Sequence, residues 1–406
     1  MIDLESAQAR IMGAITAMAP RRVAAGDALG LVLAADVVAG EAVPPFANTA
    51  MDGYAVRAAD TANAPVVLRV VDEIPAGKAP NIAVEAGEAI RIFTGAPVPP
   101  GADAIVMVER TERLDDGSGN DRVRIEVAAT LGDHIRPAGG DIDAGQTVFA
   151  AGTRLRPAHL GVLASLDLYD VLVFARPRVG VLSTGDELVE RGPLAPGKIR
   201  DSNRPMLQAL VREAGCEAVD LGWARDDEAV ITERIAHGVD TCDALLTSGA
   251  VSVGDYDFVK VAIEKLAAAR GGEYTWSQVA IKPAKPLAFG IIGNVPIFGL
   301  PGNPVSSSVS FELFARPALR VLAGDPEPQR VVVAAVAEHG FARRADGKVH
   351  FDRVRVRVDE DGHYRAIRSG FQASNVLSGM ANADGLAIVP DGDGIAPGDP
   401  VRVMLL

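Results

Sequence analysis

The sequence predicts a multidomain α/β plus β protein, with a central parallel-sheet domain, a β-rich insertion ahead of it and a C-terminal β domain behind it. Three observations carry this prediction. At 406 residues the chain exceeds what one hydrophobic core usually serves. Between Arg178 and about Ala323, strand-like and helix-like segments alternate. On both sides of that stretch, Val-rich runs broken by Gly and Pro replace the alternation.

In chain order, residues 1 to about 40 read as helical. Leu4, Ile11, Ile15 and Met18 fall near one helical face, with Asp3 and Glu5 at the positive end of the helix dipole. The insertion follows, with PVVLRVV, EAIRIFTGAPVPPGADAIVMV, DRVRIEV and GQTVFAAGTRL as its strand-rich runs and LDDGSGNDR as a polar loop tip. The central domain runs VGVLST, RPMLQALVREAG, AVDLGW, DEAVITERIAHG, ALLTSG and DFVKVAIEKLAAA, which predicts a parallel sheet with helices on both faces. After PLAFGII and PIFGL, NPVSSSVSFELFARPALRVL reads as a long helix. In the last 80 or so residues, Val354, Val356 and Val358 alternate with Arg355 and Arg357, as in a strand with one buried and one solvated face.

Composition narrows the function. A net charge of −13 argues against general affinity for nucleic acid or an anionic membrane. No stretch approaches the ~18 uninterrupted apolar residues of a membrane span, and the N-terminal segment lacks the basic start and apolar run of a signal peptide. Cys216 and Cys242 form no C-x-x-C site, which favours a reducing, cytoplasmic location. An anionic substrate would therefore need local help from a metal ion, clustered Lys and Arg, or backbone amides.

In an open parallel sheet that help gathers at the carboxyl ends of the strands. Four such loops are polar or glycine-rich. Ser183, Thr184, Gly185, Asp186 and Glu187 combine a turn-forming glycine with hydroxyls and adjacent acids suited to a hard cation, or simply start a helix. Of Asp226 and Asp227, one could cap the next helix and leave the other carboxylate free. Ser248, Gly249, Ser252, Gly254, Asp255 and Asp257 form a small-residue run leading into acids, which suits a phosphate. Pro301, Gly302, Asn303 and Pro304 open a further helix, with Asn303 placed to cap it. Just upstream, Lys282 and Lys285 offer two cations on a proline-stiffened segment. Acids facing an anion repel it without a cation, so a divalent ion, Mg²⁺, is implied and the loops suggest metal-assisted phosphoryl or nucleotidyl chemistry.

One near match is set aside. Gly192 to Lys198 resembles a phosphate loop, but Ile199 replaces the hydroxyl that should ligate Mg²⁺, and Pro193 and Pro196 lack N–H groups. In the insertion, Asp52 before Gly53, and Thr94 before Gly95, read on physics alone as turn residues.

Taken together, PPFANTAMDGYAV, FTGAPVPPGADAIVMVE, STGDEL, DSNRPML, SGAVSVGDYDFVK, KPAKPLAFG and LPGNPVSS resemble, in order, the molybdopterin molybdenumtransferase family, which includes the E domain of gephyrin. The resemblance implies four domains: an elongated dimerisation domain from residues 1–40 plus 140–176, a β-rich insertion at 41–139, an α/β molybdopterin-binding domain at 177–324 and a C-terminal β domain at 325–406. It implies a homodimer whose active site joins the α/β domain of one subunit to the insertion of the other. It also implies that Asp52, Glu187, Asp227 and Asp257 are catalytic and that Thr94, Pro301 and Pro304 are sensitive positions in the substrate site; among the acids of the strand-end loops, Asp186, Glu187 and Asp257 are the candidates for holding the metal or positioning water. The expected substrates are molybdate and adenylyl-molybdopterin, with AMP released, and the adenylyltransferase of the same route is a candidate partner. Two residues depart from the family pattern: Ala250 stands where a second glycine is usual, and Ala284 where K-P-G-K-P is usual; a positive φ at Ala250 would be strained. The alternatives are an adenylyltransferase, against which the MDGYA-bearing insertion argues, and a scaffold built on the same fold.

Overall fold

The computed structural model describes residues 1–114, 121–249 and 258–406. The chain divides into two compact units, one of Met1–Ala34, Gly152–Arg156 and Val171–Leu406, the other of Ala35–Ala151 and Pro157–Asp170.

In the first unit a six-stranded sheet is built from β1 (Arg178–Thr184), β2 (Glu217–Ala224), β3 (Ala244–Ser248), β4 (Gly272–Gln278), β5 (Pro286–Ile292) and β6 (Val295–Leu300), in the order β2-β1-β3-β6-β5-β4. The first four of that order pair in parallel, as the alternating sequence predicts, whereas β5 and β4 add an antiparallel edge. Val179, Val181 and Leu182 of β1 are fully buried, which is why this strand reads as a continuous apolar run. Helices α1 (Asn203–Glu213), α2 (Glu228–Thr241) and α3 (Phe258–Arg270) join these strands. Ile231, Ile235, Val259 and Ile263 of α2 and α3 pack with Leu182 and Leu245. Leu207 and Val211 of α1 pack into a separate core with Val181 and Leu246, so the sheet has helices on both faces.

The N-terminal helix is shorter than its sequence suggests. It spans Leu4–Gly13, with Asp3 as its N-cap accepting from the Ser6 N–H at 2.7 Å. Ile11 and Ile15 are buried as expected, with Leu4 and Met18 packed against the same core. Beyond Ala14 the helix expectation fails: Pro20–Ala24 is a strand paired with Asp170–Phe174. The segment NPVSSSVSFELFARPALRVL is one helical run with a π turn at Phe311–Ala315, next to Pro317, which lacks the N–H an α-helix would use.

The C-terminal strands Val349–Val358, Tyr364–Arg368, Val332–Ala337, Pro400–Leu405 and Gly385–Val389 form a sheet that closes on itself through pairing of the first with the last. Val354 is buried and Arg355 and Arg357 are exposed, but Val358 is 60% exposed because it lies at the hairpin turn, past the barrel wall.

The second unit is centred on a six-stranded sheet of Ala104–Met107, Gly53–Val56, Glu88–Ile92, Val66–Ile74, Arg122–Ile125 and Thr111–Leu114, in that order. Its sides are filled by two cores, one around Tyr54, Leu68 and Val123 and one around Ile74, Ile90 and Ile105. Among the described residues no helix is long and apolar enough to cross a membrane.

Candidate active site

The chain order of the sheet reverses between β1 and β3, and the loops at the carboxyl ends of β1, β2, β3 and β6 converge there. β1 ends in Ser183 and Thr184, 1% and 2% exposed, with Ser183 Oγ donating to Asp201 Oδ1 at 3.2 Å. Gly185 follows with φ +145°, and Trp223 Nε1 donates to its carbonyl at 2.8 Å. A Cβ on Gly185 would lie 2.6 and 2.7 Å from the two carboxylate oxygens of Glu187. The glycine thus makes the cradle into which the Glu187 carboxylate folds.

Asp186 and Asp226 latch the first two loops together. The Asp186 N–H donates to Asp226 Oδ2, and the Asp226 N–H to Asp186 Oδ1, each at 3.3 Å. Asp227 is the N-cap of α2, with Oδ1 accepting from the Val230 N–H at 3.0 Å. The acid expected to be catalytic is therefore the capping one.

At the end of β3, Gly249 has φ +120°, and a Cβ there would meet the Thr184 carbonyl oxygen at 2.3 Å. After β6, Pro301 is buried and Gly302 and Asn303 are exposed. Asn303 occupies the N-cap position with Pro304 behind it, but its side chain makes no capping bond. Asn203, which had no predicted role, donates through Nδ2 to Ser248 Oγ and to the Gly302 carbonyl, both at 2.7 Å. Ala250, Ser252, Gly254, Asp255 and Asp257 lie outside the described residues.

Lys282 and Lys285 are exposed and, with Ser306, Lys348, Gln372 and Ser374, line a cavity of about 460 Å³. Between the lysines, Ala284 is buried at φ +74°, so among the described residues the strained family departure is this one. The C-terminal contributors are held by Arg353, 1% exposed, whose Nη1 and Nη2 donate to the Ala373 and Phe371 carbonyls at 3.1 and 2.8 Å. The Val305 N–H donates to the Ser374 carbonyl at 3.1 Å, tying that loop to the helix after β6. Lys348, Ser374 and Arg353 gave no sequence signal, because they lie far along the chain in a domain without motif spacing.

The segment Gly192–Lys198 leads into the strand Ile199–Arg200, paired in parallel with Leu188–Val189, rather than into a helix. It cannot act as a phosphate loop, in agreement with its prolines.

In the second unit, Asp52 and Thr94 meet. Asp52 Oδ1 accepts from the Thr94 N–H at 2.7 Å and from Thr94 Oγ1 at 2.6 Å. The Thr94 hydroxyl, then its N–H, then the charge of Arg91 hold the Asp52 carboxyl below the usual carboxylate range. Arg91 itself lies over the rings of Tyr54 and Phe93, 4.9 and 5.2 Å from their centroids. Gly53 is required by a close approach, since a Cβ there would strike the Val106 carbonyl oxygen at 2.1 Å.

As a donor set, Asp186 and Glu187 offer hard carboxylate oxygens, which suit Mg²⁺ when the remaining positions are filled by phosphate and water. Among the described residues, three ligand atoms within 4.8 Å of one another occur instead at Asp359, Asp361 and His363, on an exposed C-terminal hairpin.

A mostly parallel α/β sheet with polar loops gathered at its strand ends, in a chain that also carries a closed C-terminal β sheet and a β-rich insertion, defines a multidomain α/β plus β protein with a ligand site of the open-sheet kind. Residues 180–321 match a model described as a probable molybdopterin binding domain, 2–166 the MoeA N-terminal region (domain I and II), and 339–406 the MoeA C-terminal region (domain IV). Molybdopterin molybdenumtransferase 2 of Mycobacterium tuberculosis is 42% identical over 398 residues, covering 96% of both chains. The molybdopterin molybdenumtransferase of Haemophilus influenzae is 34% identical, covering 93% of this chain and 91% of its own. The crystal structure of the molybdopterin biosynthesis moeA protein from Pyrococcus horikoshii OT3 superposes with a TM-score of 0.83 at 30% identity, covering all of both chains. The chain belongs to the molybdopterin molybdenumtransferase family.

Proposed function

We infer that this chain transfers molybdate to the dithiolene of adenylyl-molybdopterin with release of AMP, in the presence of Mg²⁺, and that it does so as a cytoplasmic homodimer. As a member of its family it is a transferase of molybdenum-cofactor biosynthesis. The observation that carries the detailed reading is the meeting of the loops after β1, β2, β3 and β6. They set the Glu187 carboxylate and the Asp186–Asp226 latch beside backbone-lined Gly249 and Gly302, with Lys282 and Lys285 following on the cavity that Ser306 shares.

In this account the strand-end backbone at Gly185, Gly249 and Gly302, with Thr184 and Asn303, receives the pyrophosphate, and Lys282 and Lys285 attract the oxyanion of molybdate. Asp186 and Glu187, with Asp257, would hold Mg²⁺, which when bound neutralises charge on the phosphate oxygens. Water adds across the pyrophosphate, whose P–O bond breaks to give AMP and the phosphorylated pterin. The two thiols of the dithiolene each form a bond to molybdenum and give up their protons, and one oxide of molybdate leaves with those two protons as water, with no change in oxidation state. Asp52 of the partner subunit is kept ionised by the hydroxyl and N–H that Thr94 donates to its Oδ1, and Oδ2, which Thr94 leaves open, is the base that receives a proton from the attacking water. Asp227 orders α2 beneath the site through its cap. The adenylyltransferase that makes the substrate is the natural docking partner.

The test is complementation between two inactive variants. Asp52→Asn and Glu187→Gln each lose transfer, yet after subunit exchange a mixed dimer has one intact site in two. With half the dimers mixed, about a quarter of the activity returns if each site spans the two subunits. Retention of full activity by both single variants would sink the assignment, and absence of recovery on mixing would sink the shared site.

A further inference from the structure

Asn203 reaches two strand-end loops at once. Its Nδ2 donates to Ser248 Oγ at the end of β3 and to the Gly302 carbonyl after β6, at 2.7 Å each, from a residue only 9% exposed. The Gly302 carbonyl can only accept, so it fixes which end of the amide faces it. Both amide hydrogens are then spent, and Ser248 must be the acceptor of the second. Ser248 is itself 2% exposed, so its hydroxyl lies beneath the surface formed by the exposed Gly249 and Gly302. Those glycines touch through their backbones, since a Cβ on Gly302 would lie 3.5 Å from the Gly249 Cα.

The third hydrogen-bonding capacity of Asn203 is unspent: Oδ1 is buried with no donor among the described residues. A bare buried acceptor costs stability, so filling space does not account for this side chain. What the amide supplies is a pair of donors that joins two loops 45 and 99 residues away in the chain.

We propose that Asn203 is a positioning residue of the phosphate site, which pins the end of β3 to the loop after β6 and so holds Gly249 and Gly302 as one backbone floor for the pyrophosphate. Ser248 then serves the site as the second anchor of that lock. The proposal rests on the transferase reading above. The floor has no side chains of its own, so its shape depends on what lies beneath it, and a loop displaced by an ångström would present its amides to the wrong place.

The experiment titrates the full-length protein with AMP and Mg²⁺ by calorimetry, well below the thermal midpoint, which is recorded for each variant. Asn203→Asp keeps the shape, removes both donors and turns an oxygen toward the Gly302 carbonyl; about tenfold weaker AMP binding is expected. Asn203→Ala gives a similar loss without the added charge. Ser248→Ala removes one anchor and weakens binding by about threefold, and the Asn203→Asp/Ser248→Ala double variant binds no more weakly than Asn203→Asp alone, because the two act through one lock. Lowered thermal midpoints with unchanged AMP affinity would show a structural role only and overturn the proposal. Absence of AMP binding by the unaltered protein would overturn the transferase reading as well.

Discussion

Replacing Gly249 by alanine should disable the site through backbone geometry alone. The added Cβ would stand 2.3 Å from the Thr184 carbonyl oxygen, on a residue with φ +120°. Carbon and oxygen in contact need about 3.3 Å, so one of the two strands must yield by about 1 Å. The backbone conformation adds about 1–3 kcal/mol of strain for a residue with a side chain. Thr184 cannot move without carrying Gly185, the cradle of the Glu187 carboxylate. A displacement of that size at a reacting centre costs about 100-fold in rate. AMP release from adenylyl-molybdopterin, followed with a thermal unfolding curve, should therefore show kcat/KM reduced about 100-fold together with a lower midpoint. Gly302→Ala is the matched control for the midpoint, because its Cβ makes only ordinary contacts, with the Gly249 Cα at 3.5 Å and the Gly249 carbonyl oxygen at 3.8 Å, and the fold should tolerate it. If Gly249→Ala retained the activity and midpoint of the unaltered protein, the close approach of β3 to β1 would not be what shapes the site.

Three further outcomes are expected. Thr94→Val removes the largest influence holding the Asp52 carboxyl low, so the acid limb of the kcat/KM profile should move to higher pH; a profile superimposable on the original would remove Thr94 from that role. Arg353→Met leaves the Phe371 and Ala373 carbonyls without their donor and should cost about 2–4 kcal/mol in denaturant unfolding, with weakened molybdate dependence because the loop bearing Ser374 loosens; unfolding unchanged within error would contradict it. Burial pushes the Cys216 thiol up to about 12, so native protein should not be alkylated there at pH 8, while unfolded protein should be, as peptide mass mapping would read.

What the sequence disclosed and what it withheld follow from how local each feature is. β1 and β3 announce themselves because a strand buried on both faces is an unbroken apolar run, and the loops after them carry their chemistry within a few residues. The stretch after Gly13 misleads because alanine-rich composition suits helix locally, while the strand at Pro20–Ala24 forms by pairing with residues near 170. The choice between Asp226 and Asp227 as the cap could not be made from type and spacing, since either aspartate suits the position; the Val230 N–H selects Asp227. Asn203 sits within the segment DSNRPML, yet its bonds run to Ser248 and Gly302, which no local pattern reveals. Strain at Ala284 is equally invisible, since a positive φ is set by the turn between Lys282 and Pro286 and not by alanine's own preference.

The most direct test of the central claim is AMP release from adenylyl-molybdopterin by the purified protein with Mg²⁺, with and without molybdate, followed by activation of a molybdenum-free apoenzyme with the product. AMP release should depend on molybdate, and the apoenzyme should become active. Consumption of ATP and molybdopterin to form the adenylylated intermediate, with no molybdate-dependent AMP release, would contradict the claim.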